Sequence, residues 1–297
     1  MAHILITANL YPHLLAQVLQ EDGLEVSFCP AADLKTEKLA AAHVDLCLHG
    51  RPNLAINEAL AHPREAYEQH VGTMLQLLKV LAQICCPRVL FLSSATVYGE
   101  HDLAREDAPL HPLEPNAASL KMAEEMLTAM PLTTVILRPG EIVGTPLVPD
   151  SEQNFVQNLS ATILQQEKFI LAGTDYPTPD GTMVRDIIHL DDWLAAIRAA
   201  GRYLLSLSPS PPTPPHPQHH IFNIGRGVGV SVREMMSAME AASHQALAYT
   251  CSPRPLARGA KLVLSNQAAQ DVLAWHPTHH SLAALAHAAL AAQSLAE

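Results

Sequence analysis

Few side chains in this chain stand at spacings that do chemistry on their own. The five cysteines, Cys29, Cys47, Cys85, Cys86 and Cys251, are odd in number and lack the paired spacing of a metal site. Cys85 and Cys86 are adjacent, so a bridge between them would strain the backbone. Buried free thiols in a reducing compartment are expected. His216, His219 and His220 lie close together and offer metal ligands. They fall in 208–220, a stretch dominated by proline, serine and histidine, and a solvated loop without metal is expected there. Ser119 carries a hydroxyl that makes a poor base unaided.

The elements that would position such groups alternate in type. Short apolar runs at 3–7, 24–28, 44–48, 88–92 and 133–137 read as buried strands. Between them, 14–19, one long run at 65–84, and 117–130 read as helices. Alternating strands and helices predict an α/β fold with a doubly wound parallel sheet. The second half has helices at 152–167, 191–206, 232–242 and 281–296, a strand at 221–224, and a turn-rich stretch at 173–181. Among 297 residues, 48% are apolar, enough for a sizeable core, and the formal charge of −11 disfavours nucleic acid and anionic membranes as partners. No run reaches membrane-spanning length, and no basic leader precedes the first strand, so a cytoplasmic protein is expected.

Three separate blocks then carry a family resemblance. Ser93-Ser-Ala-Thr-Val-Tyr-Gly99, after the apolar run 88–92, looks like the signature of the extended short-chain dehydrogenase/reductases. Asp175-Tyr-Pro-Thr-Pro-Asp-Gly-Thr-Met-Val-Arg-Asp-Ile-Ile-His189 and Phe222-Asn-Ile-Gly-Arg-Gly-Val-Gly-Val-Ser231 are similar to stretches of the UDP-glucose 4-epimerases within the NAD-dependent epimerase/dehydratase family. Leu137-Arg-Pro-Gly-Glu141 and Ser252-Pro-Arg254 fall at matching places. The resemblance spans nearly the whole chain. It implies a Rossmann-like nucleotide-binding domain over 1–150 with parts of 182–225, and a smaller, discontinuous nucleotide-sugar lobe mainly over 151–297 that includes the 208–220 loop.

The resemblance also implies a chemistry. In that family a tyrosine takes a proton from the sugar while hydride moves to NAD, and a lysine four residues on lowers the tyrosine pKa. Ser94 matches the family's assisting hydroxyl. The helix motif reads Pro115-Asn-Ala-Ala-Ser-Leu-Lys-Met-Ala-Glu-Glu125. Aligned without a gap, Asn116 stands at the tyrosine and Leu120 at the lysine. Counting back from Lys121 instead puts Ala117 at the tyrosine. Neither an amide nor a methyl group replaces a phenol as proton acceptor. No tyrosine lies between Tyr98 and Tyr176.

The family's phosphate-binding glycine turn reads Thr7-Ala-Asn-Leu-Tyr-Pro-His13, without glycine, and Cys29-Pro30 stands where an acidic ribose anchor is expected. Remaining cofactor contacts would fall to Asp33, Gln69 and Lys121. On the substrate side, Arg185 and Arg254 match arginines near the UDP phosphates, with Glu141, Asn158 and Leu159 beside the nucleotide; each arginine also suits an ordinary surface ion pair. The leading expectation is a nucleotide-sugar-binding relative without normal NAD-dependent epimerase activity. The alternatives are an enzyme of altered chemistry using Ser94 and Lys121, with Ser119, Glu141 or a histidine, or a non-catalytic scaffold. A homodimer, or a heterodimer with an active paralogue, is expected through helices 65–84 and 117–130.

Overall fold

The apolar runs become the strands of a parallel sheet whose two faces are both covered, the condition under which strands read as continuously apolar. The computed structural model describes residues 1–7, 11–30, 33–34, 43–50, 56–145, 154–207 and 218–294. Its first half contains β1 (His3–Ile6), α1 (Pro12–Gln20), β2 (Glu25–Phe28), β3 (Leu46–Gly50), α2 (Ile56–Ala61), α3 (Pro63–Tyr67), a π-helical segment (Glu68–Gly72), α4 (Thr73–Gln83), β4 (Arg88–Leu92), a 3₁₀ turn (Ala95–Tyr98), β5 (His101–Ala104), α5 (Pro115–Thr128), β6 (Thr133–Pro139) and β7 (Glu141–Val143). Its second half contains α6 (Phe155–Leu164), β8 (Phe169–Ala172), β9 (Val184–His189), α7 (Leu190–Ser206), β10 (His219–Ile224), β11 (Gly229–Ser231), α8 (Val232–Ser243), β12 (Tyr249–Ser252), β13 (Lys261–Leu264), α9 (Gln267–Leu273) and α10 (Leu282–Ser294).

The main sheet runs β10-β6-β4-β3-β1-β2 with every neighbour parallel. Alternate side chains go to opposite faces. Leu5, Cys47, Val89 and Phe91 pack with Leu77 and Leu81 of α4 and Leu120 and Leu127 of α5. Ile4, Ile6, Leu48 and Leu90 pack with Leu15 and Leu19 of α1 and Trp193 and Ile197 of α7. A third core joins Phe155 and Leu159 of α6, Met235 and Met239 of α8, and Leu285 and Ala289 of α10. Smaller sheets, β11-β9-β13-β5 with β7 on β9, and β12-β8, lie outside the main one. Among the described residues no helix is long and apolar enough to cross a membrane.

Three expectations need correction. Of the thiols expected to be buried, Cys85 and Cys251 are exposed, the first past the end of α4 and the second on β12. The helix read as continuous over 65–84 is interrupted by the π-helical turn at Glu68–Gly72. That wider turn holds His70 buried against Ser119 of α5. The 208–220 loop also ends early, since His219 and His220 are the first residues of β10, paired with Thr134 and Val135. Successive strand residues point to opposite faces, so these two do not converge on one ion. His216 lies outside the described residues.

A buried ionic network ties these layers together. Arg138 on β6 meets Glu124 on α5 through two bonds, Nη2 to Oε2 at 2.5 Å and Nε to Oε1 at 3.1 Å. Ser93, at the end of β4, donates to Glu124 Oε1 at 2.5 Å. Arg138 Nη1 donates to Tyr98 Oη at 2.7 Å, and Tyr98 donates to Asn223 Oδ1 of β10 at 2.8 Å. Burial works against the Arg138 charge, but Glu124 outweighs it and holds the guanidinium above its ordinary range. Removing one member of such a pair strands the other charge away from water. Arg138→Leu is therefore expected to lower unfolding stability by about 3–5 kcal/mol, read from urea midpoints, with much of that recovered in Arg138→Leu/Glu124→Leu. A single-variant loss under about 1 kcal/mol would mean that the pair is solvated.

Candidate functional site

The strand order of the main sheet reverses between β1 and β3, and in open α/β sheets ligands collect outside the strand ends at that point. A cavity of about 180 Å³ lies there, lined also by residues of β7, β9 and the start of α6. Tyr11 and Leu15 of the α1 end, Gly50 of β3 and Ser93 and Ser94 after β4 form one part of its wall. Ser94 caps the 3₁₀ turn, accepting from the Thr96 amide at 3.2 Å and the Thr96 hydroxyl at 3.0 Å. Gly99 ends that turn at φ 78°, and a Cβ there would stand 2.1 Å from the His111 carbonyl. Glu114 caps α5, its carboxylate accepting from the amides of Asn116 at 2.7 Å and Ala117 at 2.6 Å.

The other part of the wall comes from the second lobe. Arg185 on β9 is buried and spread flat by two backbone carbonyls, Val184 at 2.8 Å and Gly259 at 2.9 Å. Burial lowers its pKa, opposed first by Glu141, whose carboxylate stands 3.8 Å away. Arg258 lies on the same wall. Asn154 and Gln157 close it as a capping box at the start of α6, and Gln157 also donates to Thr145 at 2.9 Å. Asp186 fastens the strands behind, accepting from the amides of Arg226, Gly227 and Leu264, and its burial pushes its pKa up to about 6.

Of the residues singled out from sequence, Ser94, Glu141 and Arg185 line the cavity. The others named do not. Arg254 pairs with Asp175 at 3.0 Å and lies over the Tyr176 ring at 4.9 Å. Asn158 is exposed, and Leu159, one position on, is buried in the lobe core. Lys121 ion-pairs along its own helix with Glu125 at 3.8 Å, and Leu120 is packed in the core. Asn116 and Ala117 are buried. Gln69 sits in the π-helical segment, and Asp33 is exposed just past β2. Arg258, Asn154, Gln157 and Glu114 were missed. Asn154 followed by Gln157 ahead of an apolar run was a readable helix-start signal.

The sequence profile of the NAD dependent epimerase/dehydratase family matches residues 19–225. This chain belongs to that family. It is 29% identical over 273 residues to a UDP-glucose 4-epimerase of Azospirillum brasilense, covering 88% of this chain and 76% of the relative. It is 33% identical over 235 residues to that of Yersinia pestis, covering 73% and 67%. The solved structure of the Bifidobacterium longum UDP-glucose 4-epimerase, in complex with NAD+ and UDP, superposes with a TM-score of 0.83 at 25% identity, covering 99% of this chain and 98% of that one.

In this epimerase/dehydratase member, the strand ends near the cavity carry buried histidines. His49 Nδ1 meets Thr7 Oγ1 at 2.8 Å, and its ring stacks on Phe91 at 5.7 Å. Ser119 gives its one proton to the Asn116 carbonyl at 2.9 Å, so His70 Nδ1 is the donor in the 2.7 Å contact with Ser119 Oγ. Burial, then the nearby His70, lowers the His49 pKa from 6.5 to about 4. A depressed histidine contributes stability that is complete above its unfolded pKa and is lost as pH falls through its folded one. Between pH 6.5 and about 4 this group should cost the protein about 3 kcal/mol. Urea unfolding of His49→Gln across that window should show a correspondingly flatter pH dependence; an unchanged slope would mean that His49 protonates in the folded state.

Proposed function

We propose that this chain is a nucleotide-sugar-binding member of the family that does not run the family's NAD-dependent epimerisation. The observation that carries this is on α5, where the family's tyrosine–lysine pair is expected. Asn116 and Leu120 stand at those positions, and the one nearby amine, on Lys121, turns to Glu125 and not to the cavity. Nothing there accepts a sugar proton as a phenolate would.

The family implies NAD, and the residues at the α1 end do not fit it. Tyr11 caps α1 at φ 52°, Pro12 removes the next amide, and the Tyr11 and Leu15 side chains belong to the wall of the cavity. No carboxylate follows β2 before Asp33, which is exposed. The substrate side supports retained binding of a UDP-sugar or a similar nucleotide. Arg185 and Arg258 offer guanidinium forks to a diphosphate, and Asn154 and Gln157 offer amides to a base or sugar. The altered-chemistry alternative has less behind it, because Lys121 and Ser119 do not line the cavity that holds Ser94.

A scaffold role is compatible with binding. Leu75 of α4 and Met122 of α5 are exposed, on the helices by which a homodimer or a heterodimer with a paralogue would form. The free thiols suit a cytoplasmic setting.

Thermal unfolding with UDP, UDP-glucose, NAD and NADP tests the reading. A nucleotide at a hundred times its Kd stabilises by about 2.7 kcal/mol. UDP or UDP-glucose should stabilise and NAD should not; stabilisation by NAD, or epimerase turnover, sinks the proposal. Arg258→Gln should weaken UDP-glucose binding about tenfold or more, as loss of a charge-assisted hydrogen bond does. Asn116→Tyr/Leu120→Lys with added NAD should remain inactive, and any turnover would show that the cofactor edge accepts a dinucleotide.

A further inference from the structure

Away from the cavity, the start of α7 meets the segment that precedes α10. His189 and His279 stack there with ring centroids 3.8 Å apart and planes within 13°. Hydrogen bonds assign one lone-pair nitrogen to each ring. The Asp191 amide donates to His189 Nδ1 at 3.1 Å, which places the lone pair of that atom on the Asp191 side. Asp192, 2% exposed, stands 3.2 Å from His279 Nδ1, so that nitrogen carries the proton and Nε2 is bare. Asp191 Oδ2 lies 3.5 Å from His189 Nδ1 and 3.9 Å from His279 Nε2. Three acceptor atoms therefore face one another, all within 4.8 Å.

We propose that His189, Asp191 and His279 bind a divalent transition-metal ion of the zinc class, clasping the start of α7 to the segment before α10. Atoms bound to one ion at about 2.1 Å stand at most about 4 Å apart. The two Asp191 distances already meet that limit; because an imidazole binds metal in its own ring plane, the half-exposed His279 must also turn out of the parallel stack to bring in the third pair. Two imidazoles and one carboxylate form a ligand set that zinc, cobalt and iron accept while keeping open positions for water. Asp191 is 68% exposed and gives an entry path. The Asp191 amide displaced from His189 lies in the first turn of α7, where water can receive it.

Asp192 supplies the supporting shell. It accepts from the Thr278 amide at 2.9 Å, the Thr278 hydroxyl at 2.6 Å and the His279 amide at 3.0 Å, so the backbone that carries His279 is already held in place. The positive groups nearby are the α7 N-terminus and Arg226, whose guanidinium is turned to the carbonyls of Ile187 and His280. The two aspartates offset them.

The test uses the full chain, free of affinity tag and stripped with chelator. Titration with Zn²⁺ or Co²⁺ alone should show one equivalent bound and a raised melting temperature, and Co²⁺ should develop a visible ligand-field spectrum of mixed nitrogen and oxygen coordination. His279→Ala should weaken binding at least tenfold. Asp192→Asn should weaken it by about tenfold through the second shell. Circular dichroism on each variant separates lost binding from lost folding, and His189→Ala is a third variant should either fail to fold. Absence of one-equivalent binding overturns the proposal. So does binding that survives His279→Ala unchanged, or that disappears only when His216, His219 and His220 are replaced.

Discussion

The contact between Arg138 and Glu124 is the constraint from which the site takes its shape. A buried pair of opposite charges is tolerated only when its remaining hydrogen-bonding capacity is met, and here Ser93 and Tyr98 meet it. Those two residues flank Ser94 and begin and end the turn that forms the cavity floor. Tyr98 extends the network to Asn223, whose amide side chain reaches the Ala104 carbonyl at 3.0 Å. The end of β4, the body of α5, β6, β10 and the end of β5 are thereby locked in one register. A charge pair of this kind adds little net stability over an apolar equivalent, and its value lies in allowing only one arrangement of the layers.

Around that fixed frame the two ends of the cavity have diverged. The second-lobe end keeps guanidinium and amide groups held by backbone carbonyls and a capping box, so they need little reordering to meet an anion. The α1 end presents a tyrosine in left-handed backbone, a proline and a leucine where phosphates would need open amides. Buried histidines at His49 and His70 now satisfy polar groups under the same strand ends. The α1 end and the opposite end of the cavity are built from different elements, so a change at one leaves the other in place.

The repeated strand and helix pattern, the lack of a tyrosine within α5 and the glycine-free first turn were all legible from residues alone, because they depend on residue type and on local period. Ser94, Glu141 and Arg185 line the cavity because each sits inside or beside a motif on a strand end, and strand ends in this fold open on the switch-point crevice. Arg254 lies off the cavity. It and Arg258 lie on one loop four residues apart, and only the fold decides that Asp175 and the Tyr176 ring take the first while the second reaches the cavity. Asn158 and Leu159 lie off the cavity for a similar reason, since the capping box at Asn154 sets the helical phase and turns the first to solvent and the second to the core.

By itself, then, the sequence determined the class of fold, the family and the absence of a tyrosine from α5, all properties of identity and short-range order. Tertiary structure alone decided the π-helical break that brings His70 to Ser119, the outward turn of Lys121, and the meeting of His189 and His279 from positions ninety residues apart. These contacts depend on how layers pack at long sequence separation, and the local pattern around each residue carries no trace of its distant partner.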